Sequence, residues 1–152
     1  MTMTLRTRQI KDILLIEDED DTRYLLKLEL STAGYKVRSA VDRDEALQLF
    51  KDVSFQVILI DFCMAGASLE NFVAFARQKC GQTKIVLMSA STKAASVAAQ
   101  LGIDYICKPF VPVDLLAFLD GFEQKKDAAC NSISAGANRG LLEVGFLIVP
   151  RG

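Results

Sequence analysis

Five short apolar runs, separated by helical patterns, constrain this chain more than any other feature. They read DILLIED (12–18), KVRSAV (36–41), QVILID (56–61), KIVLMSA (84–90) and DYICKPF (104–110). Three of them are nearly continuous in Val, Ile and Leu, as strands covered on both faces must be. KVRSAV alternates more and predicts an edge strand. Helical patterns fill the gaps. Residues 20–34 carry Leu25, Leu26 and Leu28 on one broad face and stop at Gly34. Residues 42–52 place Ala46, Leu47 and Phe50 at helical spacing, with acids near the start. Residues 68–81 run from Ser68, a good N-cap, to Gly81. Residues 91–102 form a small-residue helix that stops at Gly102, and 111–126 begin with a proline in the first turn and close with two lysines. Five strand-then-helix units in succession predict an α/β fold: a doubly wound parallel sheet with right-handed crossovers and helices on both faces.

Composition narrows the function classes. The 152 residues suffice for one domain with a proper core. A net charge of -1 gives no bulk electrostatic case for nucleic acid or a membrane surface. No second core-sized segment and no basic recognition helix follow residue 126, so no direct DNA contact is expected. No run approaches the roughly 20 apolar residues of a membrane span. The start, MTMTLRTRQIKD, lacks an apolar signal core, and residues 1–10 read as a lead-in. Cys63, Cys80, Cys107 and Cys130 match no zinc or disulfide spacing. They read as reduced thiols, mostly core fillers, in a cytoplasmic protein. Residues 127–152 change character: an Ala/Ser/Gly/Asn-rich linker, then the apolar VGFLIVP. That tail is open to three readings: an added strand, a packing peptide, or the remnant of a cleavage tag, since IVPRG resembles one.

The chain has no histidine. This removes Ser-His-Asp and Cys-His catalysis, most catalytic zinc sites, and any phosphoryl relay through a histidine of its own. In an open parallel sheet, ligands bind beyond the carboxyl ends of the strands. The first predicted strand ends in Glu17 and Asp18, the third in Asp61, the fourth in Ser89 and the fifth in Lys108. Three carboxylates, one hydroxyl and one lysine therefore converge on one rim. Clustered carboxylates without imidazole or thiolate make a hard oxygen site suited to Mg2+. A carboxylate can attack phosphorus to give an aspartyl phosphate, while a lysine and a hydroxyl suit phosphoryl oxygens. Glu19, Asp20 and Asp21 need no such role, because acids favour a first helical turn.

Together, ILLIEDEDD, VILIDFCMAG, VLMSAS and DYICKPF resemble the response-regulator receiver family (CheY-like) of two-component signalling, over roughly residues 11–126. The resemblance implies a five-stranded sheet in the flavodoxin-like order 2-1-3-4-5. It implies Asp61 as phospho-acceptor, and Glu17, Asp18 and the Cys63 carbonyl, with Asp61, as Mg2+ ligands. It further implies Lys108 as the lysine that pairs with acceptor and phosphate, here before Pro109 in a cis peptide. Ser89 and Tyr105 become the switch hydroxyl and switch aromatic, and Ala90 the small residue that leaves the phosphate room. Implied partners are a histidine kinase or histidine phosphotransfer protein, with output through the fourth helix, fifth strand and fifth helix, a face that could also form a dimer. Such a chain catalyses its own phosphorylation and dephosphorylation rather than acting as an enzyme on separate substrates. Two departures stand out: Ala65 replaces the usual loop proline, and Glu17 the commoner aspartate. Cys63 and Ser91 occupy positions that tune phosphate lifetime. A pseudo-receiver that binds partners without phosphorylation is the alternative. A haloacid-dehalogenase-type phosphatase fits less well, since it wants an aspartate where Cys63 stands. No P-loop pattern occurs.

Overall fold

The computed structural model describes residues 12–64 and 69–131, with side chains to 63 and over 69–123. In chain order the elements are β1 (Asp12–Ile16), α1 (Asp20–Thr32), β2 (Lys36–Ala40), α2 (Arg43–Leu49) and β3 (Val57–Asp61). A 3-10 turn (Phe62–Met64) follows, then α3 (Leu69–Lys79), β4 (Lys84–Ser89), α4 (Thr92–Leu101), β5 (Asp104–Cys107) and α5 (Pro112–Asn131). The five strands form one parallel sheet ordered β2-β1-β3-β4-β5, the expected doubly wound arrangement. Strand order reverses between β1 and β3, so a crevice opens beyond their carboxyl ends.

Alternate residues of the central strands feed two cores. On one face Leu14, Ile16, Ile58, Ile60, Ile85 and Leu87 pack against α2, α3 and α4 through Ala46, Phe50, Phe72, Val73, Ala76, Ala94 and Ala98. On the other, Ile13, Leu15, Val57, Leu59, Val86 and Met88 meet Leu26 and Leu30 of α1 and Leu115 and Leu119 of α5. Double coverage is why these strands read as unbroken apolar runs. β2 alternates, as predicted for an edge. β5 forms the other edge and is only partly buried.

Local chemistry sets the helix ends. Asp42 caps α2 by accepting from the Glu45 N–H (2.8 Å), while the Glu45 carboxylate accepts from the Val41 N–H (2.7 Å). Gly102 ends α4 in the left-handed region at φ 70°, where a β-carbon is disfavoured. Pro112 opens α5, where its missing N–H costs nothing.

Three sequence expectations need correction. The seam of α1 is Leu26 and Leu30, whereas Leu25 and Leu28 are about half exposed. Residues four apart stay within about 40° on a helix, whereas 25 and 28 lie roughly 120° and 180° away from that line, together on the outer face. The described cysteines are not core fillers: Cys63, inside the 3-10 turn, and Cys107, at the end of β5, are exposed, and Cys80, just after α3, is intermediate. Finally, α5 continues to Asn131, so residues 127–131 extend the helix rather than begin a linker. The lead-in 1–10, Ala65, Ser68, the tail 132–152 and the Cys130 side chain lie outside the described residues. Among the described residues, no helix is long and apolar enough to cross a membrane.

Candidate functional site

Strand register assembles the site. Ile16 pairs with Ile60, so Glu17 and Asp61, one residue further on each chain segment, emerge side by side. Ser89 pairs with Cys107, which brings Lys108 alongside the end of β4. Glu17, Asp18, Asp61, Cys63, Ser89 and Lys108 all line one cleft at this rim, as expected. Ala90 and Ser91 line it too. Tyr105 lies lower on β5 and packs against the core beside α4.

Asp61 is 5% exposed and Glu17 2%. Two carboxylates so deep need a cation or hydrogen-bond donors. The Lys108 ammonium bridges them, 3.2 Å from a Glu17 oxygen and 3.3 Å from an Asp61 oxygen. The second Glu17 oxygen accepts from the Glu19 N–H at 3.2 Å. Burial pushes the Glu17 carboxyl above its ordinary pKa; the Asp61 charge adds to this, while Lys108 and the Glu19 amide oppose it. Burial works against the Lys108 ammonium, but Asp61 and Glu17 outweigh it and hold its pKa above the ordinary lysine value. The Lys108–Pro109 peptide is cis.

Glu17, Asp18 and Asp61 each offer a carboxylate oxygen within 4.8 Å of the others. Ionised, with Lys108 protonated, they leave two negative charges uncompensated. Hard oxygen donors and that charge fit one small dication such as Mg2+.

The other side of the cleft is organised by one carbonyl. Ser89 O accepts from the Lys108 N–H and the Tyr105 hydroxyl, each at 2.9 Å. The Ser89 hydroxyl oxygen accepts from the Ser91 N–H (2.9 Å), which leaves its own proton to give. Ser91 in turn caps α4 by accepting from the Lys93 N–H. Burial pushes the Tyr105 phenol up to about 12, aided by the neighbouring Cys107 thiol.

Glu19 behaves as a helix-start residue: it is the N-cap of α1 and accepts from the Thr22 hydroxyl at 2.7 Å. One residue bordering the site was not anticipated. Arg23, from the first turns of α1, donates to the carbonyls of Glu17 (3.0 Å) and Asp18 (3.3 Å) and pairs with Asp20. Its signal was a lone cation directly after the five consecutive acids Glu17–Asp21 and Thr22.

A doubly wound sheet whose switch point carries buried acids, a bridging lysine and a hydroxyl defines an α/β protein with a hard-oxygen cleft beyond the carboxyl ends of its strands. The response regulator receiver domain matches residues 13–120, and the chain belongs to that family of two-component signalling domains. A probable transcriptional regulator, ycf27, of Porphyridium aerugineum is 32% identical over 91% of this chain and 58% of its own length. The aerobic respiration control protein ArcA of Escherichia coli (strain K12) is 32% identical over 70% of this chain and 46% of its own length. The chain thus spans about half the length of the curated relatives it matches. Among solved structures, the chemotaxis response regulator CheY4 of Vibrio cholerae is similar, with TM-score 0.65 and 28% identity over 73% of this chain and 97% of that one. So is a response regulator protein from Burkholderia pseudomallei, solved with a phosphorylated aspartic acid, calcium ion and citrate. Its TM-score is 0.64 and its identity 29%, over 78% of this chain and 72% of that one.

Proposed function

We propose that this chain is a phosphorylation switch, with Asp61 as acceptor and a histidine kinase or histidine phosphotransfer protein as donor. The observation that carries this reading is the buried Asp61 carboxylate held 3.3 Å from Lys108 beside Glu17 and Asp18. The phosphorylated aspartic acid of the similar Burkholderia pseudomallei protein supports it. An Asp61 oxygen attacks phosphorus, and the phosphorus–nitrogen bond to the donor imidazole breaks. The imidazole leaves with the bonding pair and takes up a proton. Glu17, Asp18, Asp61 and the Cys63 carbonyl would hold Mg2+, which supplies neutralisation of phosphoryl charge. Lys108 stays protonated and turns from the bare carboxylate to a phosphoryl oxygen. The Ser89 hydroxyl donates a hydrogen bond to another phosphoryl oxygen and moves away from the Ser91 N–H. Tyr105, bonded to the carbonyl of that same serine, follows. The readout is a changed face of α4, β5 and α5, open to a downstream protein or to a second copy of the chain.

The test is intact mass after incubation with a small phosphodonor, with and without Mg2+, on the wild type and Asp61→Asn. One phosphoryl group gained only with Mg2+ and Asp61 both present is the expected result. A folded wild type that gains none, alongside a working control receiver, would sink this reading in favour of a phosphorylation-independent interaction module.

A further inference from the structure

We infer that Arg23 is a positioning residue for the divalent-cation site, acting through the backbone behind the acid pair. The inference rests on the reading of Glu17, Asp18 and Asp61 as cation ligands. Glu17–Asp21 places five acids in succession on a single turn of chain, a segment that repels itself. Two cations answer it, one through carboxylates and one through carbonyls. Lys108 contacts the carboxylates themselves, one oxygen each of Glu17 and Asp61. It therefore competes with any cation for those oxygens. Arg23 contacts neither the Glu17 nor the Asp18 carboxylate. One guanidinium nitrogen donates to both carbonyls, Glu17 O at 3.0 Å and Asp18 O at 3.3 Å, while the other pairs with the Asp20 carboxylate.

This arrangement fixes the two peptide units that carry the ligands and lowers the local negative charge, yet leaves the carboxylates facing the cleft. The Arg23 side chain is only 17% exposed and its bond to the Glu17 carbonyl is partly buried, whereas the paired Asp20 carboxylate is 86% exposed and screened. A planar fork can hold two acceptors in a set geometry; an ammonium cannot hold them in the same way. Groups that orient ligands without touching the cation typically change its affinity by roughly 10–100-fold when removed.

The experiment is calorimetric titration of Mg2+, and of Mn2+ as a second probe, into the whole chain as wild type, Arg23→Gln, Arg23→Lys and Asp20→Asn. Melting in EDTA and phosphoryl uptake at saturating Mg2+ accompany it. Arg23→Gln is expected to bind Mg2+ about tenfold more weakly than wild type. It should melt close to wild type in EDTA and still take up one phosphoryl group at saturating Mg2+. Arg23→Lys should recover only part of the affinity, and Asp20→Asn, which keeps the arginine but frees one end of it, should lose about threefold, within the loss set by full removal. If Arg23→Gln fails to fold, Asp20→Asn and Arg23→Lys carry the test. Equal Mg2+ affinity in wild type and variants would overturn the role of Arg23 and leave the site reading intact. Wild-type affinity in Arg23→Lys would also overturn it, since charge alone would then suffice. A wild type that binds no Mg2+ would overturn the site reading and this inference together.

Discussion

The two sides of the cleft are built by different means. The acidic side grows from β1 and β3, strands buried on both faces, and Glu17 and Asp61 inherit their positions from strands whose register leaves no freedom. The opposite side grows from the ends of β4 and β5. β5 is a short edge strand with no fully buried residue. There, position depends on a few hydrogen bonds that meet at the Ser89 carbonyl and hydroxyl. A buried strand holds a charge in place; an edge strand tied by single bonds can exchange partners at a cost of about 1 kcal/mol each. The proposed phosphorylation switch would use both: a fixed acceptor and a yielding reader.

Core truncation should break this contrast most strongly. Leu59→Ala, in fully buried β3, is expected to cost roughly 2–5 kcal/mol in urea unfolding. Ile106→Ala, in half-buried β5, should cost less than half as much, since its neighbours already meet solvent. Equal losses would show that the edge is as rigid as the centre. Next comes the bridge between the two sides. Lys108→Gln removes the cation shared by Glu17 and Asp61, and phosphoryl uptake from a small donor should slow by roughly 100-fold. Undiminished uptake would mean that the lysine serves stability alone.

Tyr105→Phe probes the yielding side by itself. The Ser89 carbonyl keeps the Lys108 N–H, so no buried acceptor is orphaned, and the loss should be about 1 kcal/mol or less. Uptake should stay near wild type, while partner or self-association through α4, β5 and α5 changes. The smallest effect concerns pH. Lys108 has a raised folded-state pKa, so its contribution to stability is fully present below the ordinary lysine value of 10.5 and is lost as pH rises through the folded value. Without added metal, the stability difference between wild type and Lys108→Gln should therefore shrink above pH 10.5. A difference that stays flat there would mean that the ion pairs contribute nothing to folding.

Much of this was legible beforehand for a physical reason. Strands covered on both faces must be apolar throughout, so β1, β3 and β4 announce themselves, and a carboxylate directly after such a run cannot be there by accident of solubility. Gly34 and Gly102 mark helix ends because their positive φ angles disfavour a β-carbon. The side of α1 that packs was less legible. Four leucines, at 25, 26, 28 and 30, populate much of that helix, and only the sheet beneath selects Leu26 and Leu30. The C-terminal end of α5 is not legible in sequence, because an Ala-rich stretch suits a helix as well as a linker.

The sequence by itself determined the element order, the doubly wound class and the types of group at each strand end, since these follow from local periodicity and from which residue succeeds each apolar run. Tertiary structure alone decided which carboxylate oxygens Lys108 bridges, that one serine carbonyl gathers Tyr105 and Lys108, and that Arg23 reaches back to brace the acid pair. Those contacts join residues 91, 47, 19 and 16 positions apart, or turn on the direction of one long side chain. No local pattern encodes them, because register and rotamer are fixed only when the sheet and its helices close on one another.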